Sequence, residues 1–220
     1  MPFVYDIQDL WPDSLAATGM LSNPALLRLV GKWCRFVYSR ARLIVVLSPG
    51  FRRQLIAGGI APEKIEVIYN WCDETAISRQ NFDHELASRL GLAGRFNVMF
   101  AGTMGMAQGL DSVLEAAVRC RDVLPQVQFV LVGGGIDQDR LRRKASELCL
   151  ANLLFLSRQP IGAMGSILGL ANVLLVHLRK DPLFRMTIPS KTQASLAAGK
   201  PVIMAVCGDA AHLVAESGGV

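Results

Sequence analysis

Four short segments of the chain combine residue types that can hold a ligand, three of them suited to an anion. Gly102, Thr103, Met104 and Gly105 directly follow the apolar run Asn97 to Ala101, and Gly109 comes shortly after. A glycine turn between strand and helix lets backbone approach a phosphate, and the helix start offers N–H groups that lack intrahelical partners. The spacing matches neither the dinucleotide fingerprint nor the P-loop, so phosphate contact and a plain tight turn both stay open. Gly133, Gly134 and Gly135 follow another apolar run. Three residues without side chains suit a ligand lying on the backbone, or a loose turn before the next helix.

The third segment is Ile188 to Lys191 with Gln193. Pro189 can open a helix whose first turn presents Ser190 and Lys191, bringing an ammonium and free N–H groups into one small volume. A solvated surface lysine is the alternative. In the fourth, Gly208 and Asp209 follow the last apolar run, where Asp209 either caps its helix or accepts a hydrogen bond from sugar hydroxyls.

Near the start, Asp6, Asp9, Trp11, Pro12 and Asp13 form a dense acidic and aromatic cluster. A carboxylate beside an indole can grip a sugar by hydrogen bond and stacking, and Asp9 or Asp13 can equally cap a turn. His177, at the end of a strand, is placed for a cleft. Arg179, Lys180 and Asp181 read as a polar strand-end loop. There is no HExxH motif, no paired histidine and carboxylate set and no DxD pair with clear metal geometry, so neither a metal nor a cofactor is expected.

Such turns act together only if a sheet aims them. Short continuous apolar runs mark strands covered on both faces by helices. They occur at 97–101, 127–132, 152–156, 172–177 and 201–206, at intervals of roughly 25 to 30 residues, the span of a βαβ crossover. Helical patterns lie between them at 110–121 and 137–149, after Pro160, at 190–198, and at 209–217, the last ended by Gly218 and Gly219. Earlier, 43–47 and 65–68 read as strands, 25–39 and 49–57 as helices, and FVYDI as strand-like. The fold class is therefore α/β, with Rossmann-like doubly wound parallel sheets.

The polar stretch Asp73 to Arg95, with a short helix near 83–90, marks a domain boundary. Two strands and two helices before it are too few to close a doubly wound sheet, and the chain stops after a helix. The chain is expected to be truncated at both ends.

Bulk properties narrow the function classes. A hydrophobic content of 51% with 19% charged residues places the chain among folding proteins. A net charge of +5 suits an anionic ligand, an anionic membrane surface or plain solubility. No basic patch with interleaved aromatics appears, so nucleic acid is not an expected partner. Five cysteines without a CxxC pair predict small buried apolar residues in a reducing cytoplasm. The start lacks a secretory pattern. Ile161 to Leu178 carries no Asp, Glu, Lys or Arg, but Gly165, Ser166, Gly169 and Asn172 interrupt it. A helix end followed by a buried strand fits it better than a membrane span.

The ordered segments DIQDLWPDSL, RARLIVVLSPGFRRQLIAGGIAPEKIEVIYNWCD, FAGTMGMAQGLDSVLEAA, FVLVGGG, IPSKTQASLAAGKPVI and GDAAHLV resemble the bacterial glycosyltransferase family 4. The resemblance is to the branch that builds O-antigen, capsule and colanic-type polysaccharides, including fucosaminyltransferase-like members. It implies a GT-B architecture, two Rossmann-like domains facing across a cleft. Residues 1–75 would then be the end of the acceptor-side domain and the linker start, and 76–220 most of the donor-side domain.

By the resemblance, the activity is transfer of a hexosyl unit, with retention, from a nucleoside diphosphate sugar to a lipid-linked or saccharide acceptor. The protein would be cytoplasmic, with peripheral association at the inner membrane. Gly102, Thr103 and Gly105 would approach the donor diphosphate, and Gly133 to Gly135 would line the nucleotide pocket. Ser190 and Lys191 would sit at the diphosphate, Lys191 stabilising the leaving group, and Gly208 and Asp209 would lie by the sugar. Asn70 to Asp73 would form an NxxD-like handover to the linker. Asp9, Trp11, Asp13 and His177 are the candidates for the acceptor and cleft.

The chain also departs from the family pattern. An acidic pair usual in the family is replaced by Met186 and Ala194, leaving Gln193 as the candidate for the ribose contact. Thr103 and Gln108 stand where many members have Arg and Lys, so more of the phosphate charge falls to Lys191. Ser195 replaces a tyrosine. A non-catalytic α/β module that binds a nucleotide or a partner is the alternative reading.

Overall fold

The computed structural model describes residues 1–77 and 81–217. In chain order the first elements are β1 (Val4–Ile7), α1 (Asp13–Ala17), α2 (Pro24–Arg40), β2 (Leu43–Val46), α3 (Pro49–Ala57) and β3 (Ile65–Val67). Then come α4 (Glu74–Ile77), α5 (His84–Arg89), β4 (Phe96–Thr103), α6 (Asp111–Val123), β5 (Val127–Gly134), α7 (Gln138–Glu147) and β6 (Leu153–Leu156). The chain continues through α8 (Met164–Gly169), β7 (Val173–His177), α9 (Lys191–Ala197), β8 (Val202–Ala205) and α10 (Asp209–Glu216). The glycine stop expected at Gly218 and Gly219 lies outside the described residues.

Contacts divide the chain into two units: Met1–Asn70 with Lys180–Pro189 and the segment from Val206 on, and Trp71–Arg179 with Ser190–Ala205. The first unit holds a parallel sheet in the order β1-β2-β3. FVYDI thus supplies a full strand at its edge. Helix α2 opens on Asn23, whose side chain accepts from Ala25 and Leu26 N–H groups, with Pro24 at its first position. Helix α3 opens likewise on Ser48 and Pro49. The sequence expectation divided the chain at residues 75 and 76. Packing instead returns 180–189 and the final helix α10 to the first unit, which no linear boundary can express.

The second unit holds five parallel strands in the order β6-β5-β4-β7-β8. Side chains alternate to opposite faces of the pleat. Val98, Phe100, Phe129 and Leu131 join a core with Leu114 and Leu141 of α6 and α7. Met99, Val130 and Val132 join a second core with Ile167, Leu168 and Ala198, contributed by α8 and the end of α9. Both faces are covered, hence the uninterrupted apolar runs in sequence.

Three asparagines, of which Asn97 and Asn152 are buried and Asn172 is exposed, close the amino-terminal edge of this sheet. Asn97 Nδ2 donates to the carbonyls of Leu92 and Leu170, Asn172 Oδ1 accepts from Asn97 N–H at 2.8 Å, and Asn152 Nδ2 donates to Ala117 O at 2.9 Å. On the second unit's outer edge, Arg140 grips Asp137 and Asp111, and Lys144 grips Asp111. These cations hold the Asp111 carboxyl well below the usual carboxylate range.

The apolar stretch 161–178 resolves into a short helix and the buried strand β7, as its interruptions predict. Among the described residues no helix is long and apolar enough to cross a membrane. The cysteines differ from expectation. All five are free, but only Cys34 is buried, while Cys149 and Cys207 are exposed. Both exposed cysteines lie outside helices and strands, in the turns after α7 and before α10, where the chain runs over the surface.

Candidate functional site

Strand order sets the place of the site in the second unit. The connections out of β4 and β7 run to opposite sides of the sheet, and a crevice opens at such a switch point outside the carboxyl ends of the strands. Gly102 and Thr103 end β4, and His177 ends β7. His177 Nδ1 bonds the carbonyl of Gln108 at 2.5 Å, and Arg179 N–H donates to Ala107 O at 2.9 Å. The end of β7 is thereby tied to the turn after β4, so His177 serves first to shape that turn.

The glycines do more than turn the chain. Pairing between β4 and β5 continues through Gly102 with Gly133 and Thr103 with Gly134. At Gly133, with φ +131°, a Cβ would sit 2.1 Å from the Gly102 carbonyl oxygen. At Gly135, with φ +154°, it would sit 2.3 Å from the Met104 carbonyl oxygen. Backbone meets backbone there, so both positions require glycine whatever binds nearby. Gly134 differs, since its Cβ would meet only the Gln138 side chain at 3.4 Å. Gly105 donates its N–H to Gln108 Oε1 at 3.0 Å, fixing the turn, and Thr103 is exposed.

Lys191 lies at the centre of this arrangement. Its ammonium rests 4.1 Å from the centre of the Phe100 ring. A Cβ on Gly102 would lie only 3.1 Å from Lys191 Nζ. It has no carboxylate partner among the described residues, and burial pushes its pKa down to about 8. The side chain lines a 140 Å³ cavity with Met99, Ala101, Leu174, Ala194 and Ser195. An unpaired ammonium in an apolar recess is a receptor for an anion. Sequence reasoning missed Phe100, because nothing separates an aromatic platform from any other apolar residue in a buried run.

Ser190 and Gln193 are the other two candidates at this helix. Helix α9 begins at Lys191, and Ser190 is exposed and makes no side-chain cap bond. Gln193 has a buried amide whose nitrogen and oxygen both lack a hydrogen-bond partner among the described residues. It is absent from the lining of the Lys191 cavity.

Of the other predicted residues, Asp73 falls in the second unit and the rest in the first. Asp209 neither caps α10 nor stands free: its buried carboxylate accepts from Gly50 N–H and pairs with Arg53 at 3.0 Å. Gly208, with φ +79°, leaves no room for a Cβ beside the Arg185 carbonyl. Asp9 and Trp11 are exposed, and so is Asp13, which begins α1 without making a side-chain cap bond. Pro12, not Asp13, occupies the cap position of α1. Asp73 does cap, accepting from Thr75 and Ala76 N–H groups and from the Thr75 hydroxyl, which lowers its pKa. The described residues contain no group of acidic, histidine and cysteine side chains able to hold a metal.

A doubly wound parallel sheet with a glycine-lined switch point, and at it a half-buried lysine without a carboxylate partner among the described residues, defines a Rossmann-like unit. Family comparison gives the class a name. Residues 1–71 match the glycosyl transferase 4-like domain and residues 95–219 match the glycosyl transferases group 1 family. The chain belongs to the group 1 glycosyltransferases. It is 26% identical over 199 residues to the probable glycosyltransferase WbjE of Pseudomonas aeruginosa, covering 90% of this chain and 49% of WbjE. It is 29% identical over 160 residues to the putative colanic acid biosynthesis glycosyl transferase WcaI of Escherichia coli, covering 71% of this chain and 38% of WcaI.

Among solved structures, Anabaena Alr3699/HepE in complex with UDP aligns with a TM-score of 0.77 at 22% identity, covering 97% of this chain and 56% of that one. The architecture is thus of the GT-B type, in a chain similar to bacterial glycosyltransferases that include a putative colanic acid biosynthesis enzyme. The chain spans about half the length of the relatives it matches.

Proposed function

We propose that this chain is part of a cytoplasmic, retaining glycosyltransferase of surface polysaccharide synthesis. It would hold a nucleoside diphosphate sugar at the second unit's switch point and pass the hexosyl unit to a lipid-linked or saccharide acceptor. The observation that carries the reading is Lys191, a half-buried ammonium without a counter-ion among the described residues, beside the glycine end of β4. A donor diphosphate would supply the missing charge. In the transfer, the bond from the anomeric carbon to the diphosphate oxygen breaks and a bond to the acceptor oxygen forms. The acceptor proton passes to the departing diphosphate, and Lys191 with backbone N–H groups near Gly105 stabilises the charge growing there. The unpaired amide of Gln193 supports a role toward the nucleotide, since buried amide groups ordinarily find partners.

UDP is the first nucleotide to test, because HepE was solved with it. Fucosaminyl donors follow from the resemblance to fucosaminyltransferase-like members. Calorimetric titration of the chain and its Lys191→Ala variant with UDP and GDP, without metal, checks the reading. Saturable binding of one nucleotide that weakens at least tenfold in the variant is expected. Equal binding by both proteins removes Lys191 from the site. No binding by a folded chain favours the module whose partner is not a nucleotide, a reading that the missing acidic pair at Met186 and Ala194 also supports.

A further inference from the structure

Arg140, in the first turn of α7, reaches the starts of two helices. Its Nε and Nη2 donate to the Asp137 carboxylate at 2.6 and 2.8 Å, and its Nη1 donates to Asp111 at 3.0 Å. Asp137 stands at the cap position of α7, and Asp111 is the first residue of α6. Backbone bonds carry this grip to the turn after β4. Asp137 N–H donates to Met104 O at 3.1 Å, and Met104 N–H donates to Gly134 O at 2.8 Å. A Cβ on Gly135 would lie 2.3 Å from the same Met104 oxygen, so the two turns meet without slack. Asp111 fixes the far end of the turn, two residues after Gly109. From the β7 side, His177 and Arg179 N–H hold that turn at Gln108 and Ala107. Arg140 supplies the matching hold from the β5 side.

We propose that Arg140 is a positioning residue for the donor diphosphate, acting through Asp137 and Asp111 to set the backbone of 104–109 against that of 133–135. The inference rests on the reading of these glycine turns as the donor site. Backbone N–H groups stabilise an anion best when they are fixed before it arrives, because no reorganisation is then required. A small displacement of such donors by a change outside the site is enough to weaken binding strongly. The forked guanidinium suits this task, since one planar group can engage two carboxylates at once, which an ammonium does less well. It also balances charge: the Asp137 side chain is only 5% exposed, and without Arg140 it would stand as an unpaired carboxylate close to the turn that receives an anion.

The test compares Arg140→Met and Arg140→Lys with Val127→Ala, which trims the core at the opposite end of β5. UDP and GDP are titrated calorimetrically at a temperature where circular dichroism shows every protein folded, and amide hydrogen exchange is followed over 102–109. Arg140→Met is expected to bind the nucleotide at least tenfold more weakly and to exchange faster at the turn. Arg140→Lys should fall between it and the parent. Val127→Ala should melt lower yet keep the parent affinity. Unchanged affinity in Arg140→Met overturns the proposal. Weaker binding without faster exchange at 102–109 also overturns it, by assigning the effect to charge alone, and an equal loss in Val127→Ala does so by assigning it to general stability. A parent chain that binds neither nucleotide defeats the donor-site reading and this inference together, whereas a parent that binds as tightly as Arg140→Met defeats this inference only.

Discussion

Lys191 and Phe100 form a cation–ring contact of 4.1 Å in which the cation has no charged partner among the described residues. Burial lowers the lysine pKa from 10.5 to about 8. The unfolded chain therefore binds the proton more tightly than the folded one, so this group costs stability below about pH 8 and ceases to between pH 8 and 10.5. Lys191→Met should melt higher than the parent at pH 7, with an advantage that shrinks over that interval. Melting curves from pH 7 to 10.5 check it, and a difference independent of pH contradicts a buried amine.

A diphosphate beside Lys191 would restore its charged form. Nucleotide binding should then take up protons above about pH 8 and weaken as the pH rises further. Titration at pH 8.5 in buffers of different ionisation heat measures the uptake directly. Gly102→Ala should lower UDP affinity at least tenfold, since its Cβ would press on Lys191 Nζ and Cε at 3.1 and 3.3 Å.

Gly133 and Gly134 provide a paired test of the backbone argument. Gly133→Ala should destabilise by about 3 kcal/mol or more, because the Gly102 carbonyl cannot retreat without breaking the ladder between β4 and β5. Gly134→Ala should cost roughly 1 kcal/mol or less, since only the end of the Gln138 side chain must shift. Urea unfolding of the two variants decides, and equal losses would refute the geometric account.

Arg140→Ala should destabilise by about 2 kcal/mol at neutral pH, because it leaves the Asp137 carboxylate, 5% exposed, without its cation. The Arg140 side chain is itself 42% exposed, which keeps the loss below that of a fully buried pair. The folded Asp111 carboxyl titrates below its ordinary 3.8, so the stability it contributes is present above that pH and is lost on acidification. The deficit of the variant should narrow below about pH 4 in an acid unfolding series.

Asp209→Ala should lower stability by roughly 2 kcal/mol by orphaning Gly50 N–H and Arg53. Gly50 has no room to adjust, since a Cβ there would meet Met186 at 2.6 Å. Unchanged melting together with selectively weaker binding of UDP sugars relative to UDP would instead place the carboxylate at the donor sugar.

The sequence itself determined the elements and their order. Every expected strand is present, because a parallel strand buried on both faces must be apolar throughout, and that signal is local. Pro24, Pro49 and the cap residues before them set two helix starts through bonds spanning only a few residues. The lysine and glycine candidates were equally visible, as were the motifs of the family. Tertiary structure decided what those residues do. Lys191 is a half-buried cation without a charged partner among the described residues only because α9 lays it over Phe100 of β4, far away in sequence. Gly133 is obligatory because the neighbouring strand approaches it, and Asp209 is engaged because α10 packs at the start of α3. Propensity and periodicity report on a residue and its near neighbours, whereas desolvation and pairing depend on groups that only folding brings together.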